Sequence, residues 1–326
     1  MTTGISRQAL AILAIIPIYL TIRRFFRRPP RISKISKIDE RILVLGASSG
    51  IGRATAHLYA ERGARVCVVG RRADKIEQVV EECRNRGVSS SAYGASRILG
   101  LTGDFANVED MVRIRAILET EWRGVDTIIV AAGVSALQPL MAVAGVDADG
   151  SKFNPAQATK EGIQEAVDIT TVAMRGNYVG PLVAAITFIP LLISSSASPS
   201  ILLISSVAAL IPAPTRSLYA STKAASLVLY QALSIEHSSI NFSLIMPNTV
   251  EGDFRKSAVD KGPIRERNPN QDGLKREDVA RRCIKAVDAY EKTVFMQRYL
   301  RLGHLGYWLY PPFVEWGARK KYHFRA

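Results

Sequence analysis

A seven-residue turn, Gly46-Ala47-Ser48-Ser49-Gly50-Ile51-Gly52, follows the apolar run Ile42–Leu45 and precedes a helix-length segment over 51–62. No other stretch restricts the fold as tightly. Glycines let a backbone turn sharply and approach a ligand where a Cβ would collide. A helix that starts at such a turn presents unpaired N–H groups and the positive end of its dipole to an anion. In a strand–turn–helix setting at the head of an α/β domain, this pattern is a cradle for a dinucleotide pyrophosphate. Gly46, Ser48, Ser49, Gly50, Ile51 and Gly52 are its candidate contacts.

The chain downstream keeps the same alternation. Ile42–Leu45, Arg65–Val69, Ile98–Leu101, Thr127–Val130, Ile201–Ile204 and Phe242–Ile245 are short runs rich in Val, Ile and Leu, as strands buried on both faces should be. Helix-length segments over 51–62, 73–86, 107–122, 161–193 and 217–237 separate them, and a last helix is expected at about 276–290. Strands alternating with helices predict a doubly wound, parallel-sheet α/β domain. Residues 138–160 read as a loop insertion and 251–275 as a mobile loop. Cys67, Cys83 and Cys283 are odd in number and far apart, which suggests neither a disulfide framework nor a metal site.

The end of the second strand reports on the cofactor. An acid there would bond the ribose 2′-OH of NAD. This chain instead has Gly70 followed by Arg71 and Arg72. Two guanidiniums suit a 2′-phosphate, so NADP(H) is expected in preference to NAD(H).

Tyr219 and Lys223, in Tyr-Ala-Ser-Thr-Lys, fall on one face of a helix, one turn apart. A phenol with its ordinary pKa of about 10 exchanges protons poorly at neutral pH, and a neighbouring cation favours its ionised form. Ser206 lies 13 residues before Tyr219, at the end of the strand Ile201–Ile204, where a hydroxyl could hold a substrate oxygen; Ser205 is its rival. Asn177, in the preceding long helix, could bond backbone or a water that relays protons to Lys223.

Taken in order, these residues resemble the short-chain dehydrogenase/reductase family over roughly residues 40–290. The resemblance implies a single Rossmann-type domain with about seven parallel strands and an Asn-Ser-Tyr-Lys tetrad on Asn177, Ser206, Tyr219 and Lys223. It further implies an adenine contact at Asp104 and cofactor contacts at Ala132, Gly133 and Pro247, with Tyr219 and Lys223 also meeting the cofactor. The family's Asn-Asn-Ala-Gly reads Val130-Ala131-Ala132-Gly133 here, and its Pro-Gly reads Pro247-Asn248. The implied activity is hydride transfer between a nicotinamide cofactor and a carbonyl or secondary alcohol carbon of a small molecule. The rival of another class is a non-catalytic NADP(H)-binding scaffold or sensor at a membrane.

The formal charge of +14 is concentrated at the chain's two ends. Residues 1–37 hold eight Arg or Lys and no acid; residues 298–326 hold six against the single acid Glu315. A near-neutral body, 38–297, between basic ends points away from nucleic acid and toward an anionic lipid surface. Ala9–Ile22 is apolar except for Thr21 and Pro17, and seven basic residues follow it between Arg23 and Lys37. Arginines stand where a signal peptide would carry small residues, and the stretch is too uniformly apolar for a transit peptide. It is therefore expected to be an uncleaved anchor, with the catalytic domain cytosolic by the positive-inside rule, at the endoplasmic reticulum by analogy with microsomal members of the family. The 298–326 tail carries Tyr307-Trp308-Leu309-Tyr310-Pro311-Pro312-Phe313, Trp316 and then Arg319, Lys320 and Lys321. Aromatic and basic groups together suit the membrane–water boundary, though the run could equally pack on the protein's own core or on a second copy in a homodimer. A lipophilic substrate drawn from the bilayer follows from such a location.

Overall fold

The computed structural model describes residues 31–87, 97–149, 152–264 and 268–324, besides Pro17. The expected anchor Ala9–Ile22 lies outside the described residues apart from that proline.

Seven parallel strands form one sheet, β1 (Arg41–Leu45), β2 (Arg65–Gly70), β3 (Ile98–Thr102), β4 (Thr127–Val130), β7 (Ser200–Ile204), β8 (Asn241–Met246) and β9 (Thr293–Phe295), in the order β3-β2-β1-β4-β7-β8-β9. The central strands β4, β7 and β8 are buried along their whole length, whereas in the edge strand β3 only Ile98 is buried and the rest alternate between half-buried and exposed. The pleat sends alternate residues to opposite faces. Leu43 and Leu45 join one core with Met111, Ile114, Phe188 and Tyr230. Ile42 and Val44 join the other with Tyr59, Val79, Cys83 and Val287. Helices α1 (Gly50–Glu61), α2 (Ala73–Arg86) and α7 (Arg276–Asp288) supply the second layer; α3 (Val108–Trp122), α5 (Gly180–Ser195) and α6 (Ser217–Glu236) supply the first. Strand order reverses between β1 and β4, and ligands bind at such a switch point, beyond the carboxyl ends of the strands.

The sequence and the structure part at four places. The insertion at 138–160 is not bare loop, because it folds a short helix, Leu140–Val143, and the antiparallel hairpin β5 (Asp147–Asp149)–β6 (Lys152–Asn154). The long helix at 161–193 is two helices, α4 (Lys160–Met174) and α5, joined by a π turn over Arg175–Val179. By length and composition Lys160–Ser195 could cross a membrane, yet half of its most apolar window is buried in the protein, as a helix packed on a sheet should be. The segment 251–275 is not all loop among its described residues, because Pro269–Asp272 is helical, and the Asp260 carboxylate accepts the backbone N–H groups of Leu137 at 2.6 Å and Gln138 at 2.7 Å.

The fourth difference moves the start of the folded body. Arg31, counted by sequence in the basic flank of the anchor, is buried and cannot face lipid. It pairs with the buried Glu40 and donates to Ser198 O at 3.0 Å and to Thr127 Oγ1 at 2.8 Å. Arg62 closes the network from Glu40 to Asp288.

At the other end the tail forms a helical hairpin, α8 (Leu300–Leu309) and α9 (Pro311–Tyr322). One side packs back, with Tyr322 buried and the His304 ring hydrogen-bonded to Leu210 O at 3.1 Å. The other side leaves Leu302, Trp308, Leu309 and Tyr310 at 65% exposure or more, and Phe313 and Trp316, nearer the body, are also largely exposed. An apolar patch of that kind marks an interaction surface.

Candidate active site

The glycine turn is shaped by close contacts. Gly46 sits at φ 90° and Gly50 at φ 59°. A Cβ on Gly46 would lie 2.4 Å from Ala132 N, and one on Gly52 would lie 2.2 Å from Gly46 O. The turn is thereby pressed onto the end of β4 and onto itself. Gly50 has no atom within 4 Å of a would-be Cβ, so its glycine answers to conformation and leaves open space before the α1 N-terminus. Ser49, the N-cap of α1, makes no side-chain cap bond. Free N–H groups facing an open concavity fit a pyrophosphate.

This turn opens into a cleft of about 1110 Å³ that runs past β2, β4 and β7 to the C-terminal hairpin. Arg71 and Arg72 stand exposed at its rim, and Arg72 Nη2 donates to Ser48 Oγ at 3.0 Å. Asp104 lines the same end. Its carboxylate accepts the Ala106 N–H at 3.0 Å and pairs with Arg175 at 3.1 Å.

Farther along, Ser205, Ser206, Tyr219 and Lys223 line the cleft with Ala132, Gly133 and Pro247. Lys223 Nζ donates to Ile204 O at 3.1 Å, and burial pushes its ammonium down to about 8. Asn177 stands behind the wall, placed inward by the π turn. Its Oδ1 accepts Val134 N–H at 2.9 Å, while Nδ2 donates to Val134 O at 2.9 Å and Thr222 Oγ1 at 3.0 Å. A Cβ on Gly133 would fall 2.8 Å from Asn177 Oδ1 and 3.1 Å from Lys223 Nζ, so this glycine makes room for both side chains at once. Ser206 Oγ caps a short turn by accepting Ala208 N–H at 3.1 Å, which leaves its O–H free to donate. Ser205 Oγ is buried and makes no hydrogen bond among the described residues.

Sequence reading missed several parts of the wall. Arg216, at the head of α6, holds its guanidinium 4.2 Å from the Tyr219 ring centroid. Phe254 meets that ring edge-on at 6.1 Å. Tyr299, Leu300, Gly303, Phe313 and Trp316 bring the hairpin over the mouth. Asn248, which stands where the family has glycine, ties the hairpin down by accepting from Lys321 Nζ at 2.7 Å and donating to Gln297 at 3.0 Å. The aromatic content of the tail was visible, but nothing local linked it to the cleft.

A dinucleotide cradle, a lysine and tyrosine one helical turn apart and a serine at a strand end, all on one cleft, define a nicotinamide-dependent oxidoreductase. Comparison with known proteins gives the family. The short chain dehydrogenase family model matches residues 40–262, and the chain belongs to the short-chain dehydrogenase/reductase family. It is 28% identical over 303 residues to dehydrogenase/reductase SDR family member 7B of Danio rerio, covering 90% of this chain and 86% of that one. It is 31% identical over 214 residues to 11-beta-hydroxysteroid dehydrogenase-like 3 of Arabidopsis thaliana, covering 65% and 60%. Among solved structures, a short-chain dehydrogenase/reductase from Burkholderia phymatum in complex with NAD superposes with TM-score 0.67 at 17% identity, covering 84% of this chain and 96% of that one. An alcohol dehydrogenase from the archaeon Thermococcus sibiricus, complexed with 5-hydroxy-NADP, gives 0.61 at 20%, covering 79% and 95%. At such identities these two likenesses concern the fold alone.

Proposed function

We propose that this enzyme uses NADP(H) to interconvert a carbonyl and a secondary alcohol on a lipophilic small molecule at a membrane surface. One observation carries the reading: the glycine cradle, Ser206, Tyr219 and Lys223 open on a single cleft whose mouth is covered by an apolar hairpin. When bound, the nicotinamide supplies or accepts the hydride. Ser206 donates a hydrogen bond to the substrate oxygen, and Tyr219 gives up or takes the proton there. Lys223 holds positive charge behind the phenol. Asn177 keeps Val134 and Thr222 in place, and so sets the wall on which Tyr219 and Lys223 stand. A panel of ketones and alcohols, lipophilic ones included, followed by cofactor absorbance, tests the reading. A protein that binds NADPH yet turns over nothing would be the scaffold instead.

Arg71 and Arg72 at the rim support the cofactor preference. A charge-assisted hydrogen bond contributes about 1.5–3 kcal/mol, so NADPH should bind roughly tenfold or more tightly than NADH. Arg71→Ala should narrow that gap in a fluorescence titration; equal affinities in the parent protein would refute the preference.

Membrane attachment rests on the anchor segment and on the hairpin, whose exposed aromatics sit beside Arg319, Lys320 and Lys321. Tyr and Trp partition to the bilayer boundary and each basic group adds roughly 1 kcal/mol on anionic lipid. Full-length protein should sediment with membranes and resist salt extraction, with the catalytic domain on the cytosolic side of the endoplasmic reticulum. A chain beginning at Pro30 keeps Arg31 in its buried network and should be released at least partly by salt. Full-length protein in the soluble fraction at low salt would defeat both the location and the lipophilic-substrate reading. The exposed Ile163 and Val167 on α4, Ile186 on α5 and Val228 on α6 suit a second copy of the chain, which supports a homodimer.

A further inference from the structure

Arg216 is 4% exposed and forms part of the cleft wall beside Tyr219. The guanidinium's single hydrogen bond among the described residues runs from Nη1 to Ser135 Oγ at 3.1 Å. It has no carboxylate partner among the described residues. Among the described acids of the neighbouring loop, Glu251 is engaged with Lys275 and Arg276, Asp253 with Lys256, and Asp260 with the backbone of Leu137 and Gln138. A guanidinium buried without a counter-charge is costly, and the Tyr219 face offsets only part of that cost. Its planar fork is matched by a carboxylate or phosphate. A second guanidinium, Arg255, lines the same wall and is 9% exposed.

The cofactor does not account for Arg216. The pyrophosphate cradle at Gly46–Gly52 and the rim arginines Arg71 and Arg72 belong to the opposite end of the cleft. Tyr219 meets the reacting oxygen under the proposed function, on which this inference rests. An oxyanion held by Arg216, whose guanidinium is 4.2 Å from the Tyr219 ring centroid, would therefore lie within a few bonds of the reacting carbonyl. The remaining wall, toward Leu300, Phe313, Val314 and Trp316, is mostly apolar, and the Lys321 ammonium there is engaged with Asn248 at 2.7 Å.

We infer that Arg216 forms an oxyanion subsite and that the substrate is an anionic amphiphile. Its carboxylate or phosphate lies a few bonds from the reacting carbon, and its apolar tail leaves under the C-terminal hairpin. Titration of the NADP⁺-loaded protein with dodecanoate, dodecyl phosphate and dodecanol tests this without turnover. Both anions should bind at least tenfold more tightly than the alcohol. Arg216→Gln should abolish that preference while changing dodecanol affinity less than twofold, and Arg216→Lys should retain part of it. For a ketone bearing a nearby carboxylate, R216Q should raise KM at least tenfold, with little change for its neutral methyl ester. Equal affinity of the parent protein for all three dodecyl probes would overturn the subsite. So would an equal loss for all three in R216Q, which would mean that Arg216 only shapes the wall. An Arg216-dependent anion preference in a protein that reduces no ketone would uphold the subsite and defeat the oxidoreductase reading.

Discussion

Tyr219→Phe is expected to lower kcat by roughly 10²–10⁴-fold, the usual worth of a positioned proton donor, while leaving fold and dinucleotide binding intact. The substitution is a clean one for a structural reason. The Tyr219 ring packs under Arg216 at 4.2 Å and against Phe254 at 6.1 Å, and phenylalanine keeps both contacts. The hydroxyl has no hydrogen bond among the described residues, so its removal strands no buried partner. Unchanged melting and NADPH titration alongside lost turnover would therefore isolate the chemistry. Turnover like the parent's would mean that another group handles the proton. Lys223 adds a pH signature. Its ammonium is lowered to about 8 by burial, so charge behind the phenol is fully present below that value and lost as pH rises through it. The parent's kcat should fall on that alkaline side, and Lys223→Met should lie well below the parent at pH 7.

How much of this could be read from the chain depended on how local each signal is. Strands such as Ile42–Leu45 and Ile201–Ile204 are continuous apolar runs because both faces of a parallel sheet are covered, and they were legible. The β9 edge strand, Thr293–Phe295, is three residues long and carries no such run; only the family resemblance implied it. Tyr219, Lys223 and Ser206 could be placed because their spacing follows helix and strand geometry. The inward turn of Asn177 depends on a π turn, which leaves no periodic trace in sequence. Arg216 stands at a helix start with no local sign of burial, and its hydrogen-bond partner Ser135 lies 81 positions away. Arg31 was misplaced for the same reason. Within a row of basic residues nothing distinguishes the one whose partners, Glu40, Thr127 and Ser198, come together only in the folded sheet.

That network carries the largest expected loss of stability. Arg31→Ala should cost about 3–5 kcal/mol, because it leaves the fully buried Glu40 short of its nearest cation and strips the acceptors at Ser198 O and Thr127. A loss of that size corresponds to a drop in Tm of very roughly 6–20 °C in a domain of this scale. Glu40→Ala should be comparably severe, since it leaves Arg31 buried with only neutral partners. The double variant Arg31→Met with Glu40→Leu removes both charges and fills the space with apolar atoms. Replacing a buried pair in this way is often close to neutral, so the double variant should be more stable than Arg31→Met or Glu40→Leu alone, and the cycle of parent, those two singles and the double should show coupling well above 1 kcal/mol. Thermal unfolding of the four proteins decides the matter. If Arg31 were one more lipid-facing base, Arg31→Ala would leave Tm where it was and weaken only sedimentation with anionic vesicles. A large fall in Tm with membrane attachment retained would place the start of the folded body at Arg31 and reserve the preceding arginines, Arg23 to Arg28, for the bilayer.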